Sequence, residues 1–451
     1  MKKVITYGTF DLFHEGHYNI LKRAKELGDY LIVGVTSDNY DKSRGKLNVK
    51  QSLVERIENV KKSGFADEII VEEYLGQKIE DIKKYNVDVF VIGSDWYGKF
   101  DYLNEFCEVI YLERTKGISS TKLRNSERGI LNIGCVGAGR IAKRMIAESK
   151  FVSGINFDYV YGRNEEKIKK FAEDNYLSGY TTSYDELLNK VDAVYIATPH
   201  PTHYEYVKKA ILSKKHVLCE KPMTLSASQT KELFELAKAN DVVLYEAIKT
   251  SYSPAFKRLI PFAKSGVIGN IKDVDATFTK LLSDYSLREF DPNQGGGSVN
   301  ELITYPLIAI FKLLGTKYEN IDFFTCIGKT NVDEYSKVVL KYKDSVATAS
   351  VGIGVKKDGN LTISGTKGYI FVPAPWWKTE FFEVNFEDQS LNEKYYYKFN
   401  GDGLRYELTD FYMSIVNKKD NIVVDEEESI AIARVIEQFN QYLNEKINNK
   451  L

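Results

Sequence analysis

Short apolar runs alternate with segments whose apolar residues recur at three- and four-residue spacing, and this pattern fills more than half of the chain. Residues 4–7 read as a first strand and 18–27 as the helix after it. A second strand is expected at 30–36, a helix at 53–62 and a third strand at 68–71. A helix around 79–85 then leads to a buried strand at 88–93 and another strand at 108–112. Strand–helix alternation of this kind implies a parallel sheet with ligands at the C-terminal strand ends. The stretch 125–129 (Asn-Ser-Glu-Arg-Gly) reads as a linker, and a second strand–helix series runs from 130 to about 246. The remainder mixes strands and helices and ends in a long amphipathic helix near 430–447. The pattern therefore predicts an α/β chain in three parts, 1–126, 130–246 and 247–451. The two alternating series share no internal repeat, because their glycine chemistry differs.

Composition narrows the function. The chain's 62 basic and 63 acidic residues nearly cancel, which gives no support to a nucleic-acid or membrane-surface role. The first residues read as a strand rather than a leader, and no apolar run approaches the ~20 residues of a membrane span. Cys107, Cys135, Cys219 and Cys326 are scattered without paired spacing, so a reduced, cytoplasmic setting is expected. The five histidines, His14, His17, His200, His203 and His216, all fall within motifs.

The first motif is Gly8-Thr9-Phe10-Asp11-Leu12-Phe13-His14-Glu15-Gly16-His17, between strand and helix. Two imidazoles three apart at such a turn can both face one anion, Gly16 permits close backbone approach, and the helix start adds donors. Arg44 and Lys46 lie in a polar, flexible stretch where long cations could reach phosphates, and Arg56 lies on the next helix. Asp95 and Trp96 follow the buried strand at its ligand-facing end. Residues 114–122, with Arg114, Gly117, Ser119, Ser120 and Thr121, make a second anion cradle. In-line attack on a nucleotide α-phosphorus asks a protein for this kind of positioning and charge stabilisation.

Together these segments resemble the glycerol-3-phosphate cytidylyltransferases. The resemblance implies that His14 and His17 hold the triphosphate and its transition state, and that Lys46 and Arg114 contact phosphates. It places Gly8, Thr9, Phe10, Asp11, Arg44, Asp95, Trp96 and Ser119 to Thr121 around CTP. Magnesium is implied with CTP, with no metal ligand set from the protein itself.

The second series opens with Gly134-Cys135-Val136-Gly137-Ala138-Gly139-Arg140-Ile141, a glycine turn between strand and helix that suits a dinucleotide pyrophosphate. The next strand ends in Gly162-Arg163-Asn164, where an NAD enzyme would usually carry a carboxylate. Arg163 in its place favours a 2′-phosphate, hence NADPH over NADH. Thr198-Pro199-His200-Pro201-Thr202-His203 and Glu220-Lys221-Pro222 follow two later strands. With the glycine turn they resemble the Gfo/Idh/MocA oxidoreductases over roughly residues 130–315. That family implies a Rossmann half followed by an α/β half with a large open, mainly antiparallel sheet, so the fold expected is two Rossmann-like parallel-sheet domains plus that third part. It implies Lys221 as the group that polarises the substrate oxygen. Where the family carries an aspartate and, four residues on, a histidine, this chain has Glu301 and Tyr305. Tyr305 is then expected to be the proton donor with its pKa lowered by Lys221, and Glu301 a positioning or substrate-hydroxyl contact. His200 and His203 are expected to serve the cofactor loop and cap a helix.

The expected function follows from the pairing. The oxidoreductase reduces a ketose phosphate to an alditol phosphate, and the transferase couples it to CTP, for capsule or teichoic-acid-like polymers. Alternatives are glycerol-type synthesis beside a reductase of another or nucleotide-linked sugar, or one half serving only as a nucleotide sensor. A homo-oligomer, dimer or tetramer, is expected.

Overall fold

The computed structural model describes residues 1–46, 48–113, 130–417 and 423–448. Their contacts divide the chain into two compact units, Met1–Ala193 and Val194–Leu451.

The first unit begins with β1 (Lys3–Gly8), α1 (Glu15–Lys25), β2 (Tyr30–Thr36), α2 (Asp38–Ser43), α3 (Leu53–Lys62), β3 (Glu68–Glu72), α4 (Gln77–Tyr85), β4 (Val89–Gly93) and β5 (Glu108–Leu112). These strands form a sheet of order β3-β2-β1-β4-β5, parallel throughout. Val4, Ile5, Leu31, Ile32, Val33, Val89, Phe90 and Val91 are fully buried, since helices cover both faces of the inner strands. The chain leaves β1 for one side of the sheet and returns through β4 on the other. The crevice outside β1 and β4 is therefore the switch point at which such sheets bind ligands. The His14/His17 turn follows β1 and the Asp95–Trp96 turn follows β4, so both lie at that end.

The unit continues with β6 (Leu131–Val136), α5 (Arg140–Ser149), β7 (Ile155–Tyr161), α6 (Glu165–Asp174), β8 (Gly179–Thr181) and α7 (Tyr184–Lys190). β9 (Ala193–Ile196) begins on the last residue of the first unit, and α8 (His203–Leu212), β10 (His216–Glu220), α9 (Ala227–Ala239) and β11 (Leu244–Ala247) belong to the second. The sheet built from β6–β11 has the order β11-β10-β9-β6-β7-β8, the doubly wound order of dinucleotide-binding folds.

Next are α10 (Lys249–Tyr252), α11 (Pro254–Lys264), β12 (Ile271–Thr279), α12 (Ser298–Leu302) and α13 (Thr304–Leu314). They precede β13 (Asn320–Ile327), β14 (Asp333–Lys341), β15 (Val346–Gly352), β16 (Leu361–Gly365), β17 (Gly368–Val372), β18 (Phe381–Phe386) and β19 (Glu393–Tyr396). Among the described residues two helices follow, α14 (Leu404–Asn417) and α15 (Glu426–Asn448). The eight strands β12–β19 form one open sheet in which β12 and β15 pair in parallel and the other pairs run antiparallel. The α/β class and the large, mainly antiparallel third sheet are thus as expected. Among the described residues no single helix is long and apolar enough to cross a membrane.

One local expectation fails. The first part of the stretch after β2, Asp38–Ser43, is helical, because Ser37 Oγ caps α2 by accepting the Tyr40 N–H at 3.2 Å; Arg44 and Lys46 follow the helix. Six residues are too few for a hydrophobic period to show. The linker expected at 125–129 lies outside the described residues.

Candidate active sites

In the first unit the histidine pair is built by the helix it precedes. His14 is the N-cap of α1, and its Nδ1 accepts the Gly16 N–H at 3.0 Å. His17, at the third helical position, accepts the His14 N–H through Nδ1 at 3.4 Å. This is a capping box made of two imidazoles. With Nδ1 accepting, a neutral ring carries its proton on Nε2, which makes that nitrogen the donor. The rings stack with centroids 3.8 Å apart. A Cβ at residue 16 would lie 2.8 Å from His14 Cε1, which is why glycine stands there. The positive end of α1 adds to the field at this turn.

The surrounding loop is held under strain. Phe10 and Leu12 sit at φ 54° and 47°, in the left-handed region that non-glycine residues seldom occupy. Phe10 is buried edge-on to His17, centroids 5.4 Å apart, so its ring braces the histidine. It also stands 3.0 Å from where a Cβ on Gly8 would lie. Asp11 is buried and accepts the N–H groups of Lys50 and Gln51, both at 2.9 Å, which fastens the α2–α3 loop to the histidine turn.

Arg44 is engaged within the protein: Nη2 donates to Asp41 Oδ1 at 2.6 Å and to Thr9 Oγ1 at 2.8 Å. Arg56 is fully buried and donates to the carbonyls of Thr9 and Thr36, both at 2.8 Å, tying the ends of β1 and β2 together. Lys46 is half-buried, and desolvation, reinforced by the nearby Arg44 cation, lowers it to about 8. Trp96 meets Phe100 and Phe151, with centroids 6.2 and 6.1 Å away. Arg114, Ser119, Ser120 and Thr121 lie outside the described residues. A buried pair that the motifs did not announce, Lys78 with Glu72, lies beside Tyr7, whose hydroxyl donates to Asp81 at 2.8 Å.

Among the described residues no group of three or more His, Cys, Asp or Glu side chains is arranged to hold a metal ion.

The dinucleotide turn lies at the end of β6. Gly137 has φ 103°, open to glycine alone at little cost. Gly139 is the N-cap of α5 and no side chain caps that helix, which suits an anionic pyrophosphate. Arg140 and Ile141 form its first turn. Gly162 and Arg163 follow β7; a Cβ at 162 would meet Ile168 at 2.6 Å, and Arg163 is exposed. These residues fit an NAD(P) dinucleotide.

In the second unit Lys221, Glu301, Tyr305 and His200 converge. Lys221 Nζ donates to the Glu301 carbonyl oxygen at 2.7 Å and stands over the Tyr305 ring, 5.6 Å from its centroid. The Glu301 carboxylate is clamped by Arg288, with Nη1 2.7 Å from Oε1 and Nη2 3.0 Å from Oε2. His200 Nε2 is 3.8 Å from the same Oε1, and burial holds this imidazole neutral by pushing its pKa well down. Glu220 accepts from the Tyr195 hydroxyl at 2.5 Å, and burial raises its carboxyl despite Lys221 and Lys249 nearby.

Two expectations change here. Tyr305 is not acidified: burial, then the charges of Glu220, Glu407 and Glu301, push its pKa well above the ordinary value. Lys221 lies over the ring, and that position strengthens a cation–π contact. His203 does not cap a helix. Its Nδ1 and Nε2 face the carbonyls of Pro222 at 2.9 Å and Thr198 at 2.8 Å, so it binds together the two loops that carry Pro199 and Lys221. Burial lowers its pKa, and a neutral ring can donate to only one of the two.

Arg288, Lys249 and Glu407 escaped the sequence reading. Glu407 is fully buried, both its oxygens lack a hydrogen-bond partner, and burial raises its carboxyl well above the usual range. Lys249 donates to the Asp402 carbonyl at 2.9 Å; its place just after β11, at a C-terminal strand end, was the available signal.

Comparison with known proteins gives a family for each of three stretches. Residues 5–126 match the cytidylyltransferase-like family, 131–248 the oxidoreductase family with an NAD-binding Rossmann fold, and 256–371 the GFO/IDH/MocA C-terminal domain. Over 129 residues the chain is 53% identical to a glycerol-3-phosphate cytidylyltransferase from Bacillus spizizenii, covering 28% of this chain and 95% of that protein. Over 288 residues it is 31% identical to a trans-1,2-dihydrobenzene-1,2-diol dehydrogenase from Mus musculus, covering 62% of this chain and 86% of that one. Among solved structures, a 3-ketoreductase from Actinomadura kijaniata in complex with NADP and TDP-benzene superposes with a TM-score of 0.61 at 21% identity, over 68% of this chain and 96% of that one. A levoglucosan dehydrogenase in complex with NADH and levoglucosan gives 0.61 at 18%, over 69% and 98%. The chain belongs to both families: it is an enzyme that joins a cytidylyltransferase to an NAD(P)-dependent GFO/IDH/MocA oxidoreductase.

Proposed function

We propose that the chain makes a CDP-alditol in two consecutive steps. The oxidoreductase part, residues 130–246 with 247–451, reduces the carbonyl of a ketose phosphate, and a bound NADPH supplies the hydride. Lys221 polarises the carbonyl oxygen and Tyr305, held protonated by its burial, passes its proton to that oxygen, leaving an alcohol. In the transferase part, residues 1–126, the alditol phosphate oxygen attacks the α-phosphorus of CTP. The bond to the bridging oxygen breaks, pyrophosphate leaves, and the Nε2 donors of His14 and His17 meet the charge that develops on the phosphates.

The observation that carries this reading is the joining of the two activities in one chain. The Bacillus relative is named for glycerol 3-phosphate, a three-carbon alditol phosphate. A partner reductase points instead to a substrate that must first be made from a sugar, here a ketose phosphate of five to seven carbons. The product would serve as donor for capsular or teichoic-acid-like polymers. The test is to follow NADPH loss and pyrophosphate release separately with CTP and a panel of ketose and alditol phosphates. The reading requires one carbon skeleton to serve both reactions, as ketose for the first and alditol for the second. Reduction confined to unphosphorylated or nucleotide-linked sugars would reject it.

A further inference from the structure

The cytidylyl-transfer site is braced from outside its own sheet. Asn48, two residues beyond Lys46 in the α2–α3 loop, is buried. Its Nδ2 donates to the Ser153 carbonyl at 2.9 Å while its Oδ1 accepts the Ser153 N–H at 2.8 Å. An amide that answers both backbone groups of one residue fixes orientation as well as distance. Its loss would leave a buried donor and acceptor unpaired. Three residues earlier, Lys150 Nζ donates to the Asp95 carbonyl and lies 5.6 Å from the Trp96 ring centroid, and Phe151 meets Trp96 edge-on. Lys150, Phe151 and Ser153 all belong to the turn between α5 and β7, in the dinucleotide-binding series.

Both transferase segments held this way border the switch point. The α2–α3 loop carries Lys46 on one side of Asn48. On the other side it carries the Lys50 and Gln51 amides, which bind Asp11 beside the histidine turn. The β4 turn carries Asp95 itself. Displacing Asn48 therefore moves Lys46 and loosens the Asp11 clasp together. The Bacillus spizizenii relative is matched over 95% of its length by 129 residues, so it has no room for a second domain to supply such a turn.

We infer that the α5–β7 turn is a working part of the cytidylyl-transfer site, and that Asn48 and Lys150 are positioning residues for CTP. They act through the Lys46 loop and the Asp95–Trp96 turn. The transferase of this chain thus depends on its fused neighbour for the shape of its nucleotide pocket.

The experiment uses the full chain and binding rather than turnover. Mg-CTP and NADPH affinities are measured by calorimetry for wild type, Asn48→Ala, Lys150→Met and Lys150→Arg, with melting temperatures alongside. The inference predicts that Asn48→Ala and Lys150→Met weaken Mg-CTP about tenfold or more while NADPH affinity holds, and that Lys150→Arg, which keeps the donor, stays near wild type. Wild-type Mg-CTP affinity in a folded Asn48→Ala and Lys150→Met would overturn it. So would equal loss of both ligands with a lowered melting temperature, which marks a merely structural contact. Failure of the wild-type chain to bind Mg-CTP would overturn it together with its premise.

Discussion

His14 and His17 are locked to each other before any ligand arrives: each ring uses Nδ1 for a backbone N–H of the same turn, and the two stack at 3.8 Å. The turn itself fixes both rings, and donors held in place in advance are the most effective at meeting charge that develops on a phosphate. His17→Ala removes one donor and half of the capping box. Cytidylyl transfer should fall by roughly 10²–10³, whereas NADPH oxidation, which uses Lys221 and Tyr305, should be nearly unchanged. Pyrophosphate release and absorbance at the nicotinamide band, followed on one preparation, distinguish the two. A parallel loss of both activities in a folded variant would contradict independent chemistry at the two sites.

Tyr305→Phe keeps the ring against Phe278, centroids 5.0 Å apart, and beneath Lys221. Only the hydroxyl is lost, so the effect should fall on the proton-transfer step. Turnover in the reductive direction is expected to drop about 10²–10⁴-fold with little change in cofactor affinity. Retention of more than half the rate would remove Tyr305 as donor.

Lys46 gives a pH signature. Its pKa is lowered to about 8, so in the free enzyme the ammonium is present below pH 8 and lost as pH rises through that value. If the cation binds phosphate, kcat/KM for CTP declines above pH 8. Lys46→Arg, charged at any accessible pH, should extend the plateau upward. A wild-type profile flat to pH 9.5 would exclude the role.

Arg163→Ala tests cofactor choice. The exposed guanidinium can reward only a 2′-phosphate, a charge-assisted contact worth roughly 1.5–3 kcal/mol. KM for NADPH should therefore rise by about tenfold or more while that for NADH stays within twofold. Equal effects on both would show that Arg163 does not read the 2′ position.

What the sequence made legible was local chemistry. A strand, a turn with His-x-Gly-His and a helix occupy consecutive residues, so the order of the chain is the geometry of the site; the same holds for Gly137-Ala138-Gly139 and for Glu220-Lys221-Pro222. The residues that escaped come from remote segments. Arg288 reaches Glu301 from a loop 13 residues earlier, and Glu407 enters from a helix more than 100 residues later, neither within a motif. Tyr305 was misjudged for a related reason. Proximity to a lysine could be foreseen from the family pattern, but not that burial and three carboxyl groups would raise the pKa of the phenol. Asn48 and Lys150 gave no signal at all, because a contact between two domains has no period along the chain.

The order of the two reactions is the central claim. An open-chain alditol phosphate offers hydroxyls where the ketose has a carbonyl. A pocket whose polar groups are matched to those hydroxyls should reject the ketose, since buried donors left unpaired are costly. The direct measurement is a single mixture of the enzyme, CTP, magnesium and a ketose phosphate that the reductase accepts, with NADPH first withheld and then added. Little pyrophosphate should appear until NADPH is supplied, after which nicotinamide oxidation and pyrophosphate release should run together. Rapid pyrophosphate release before NADPH would contradict the account, and would make the CDP-sugar the true substrate of the reductase.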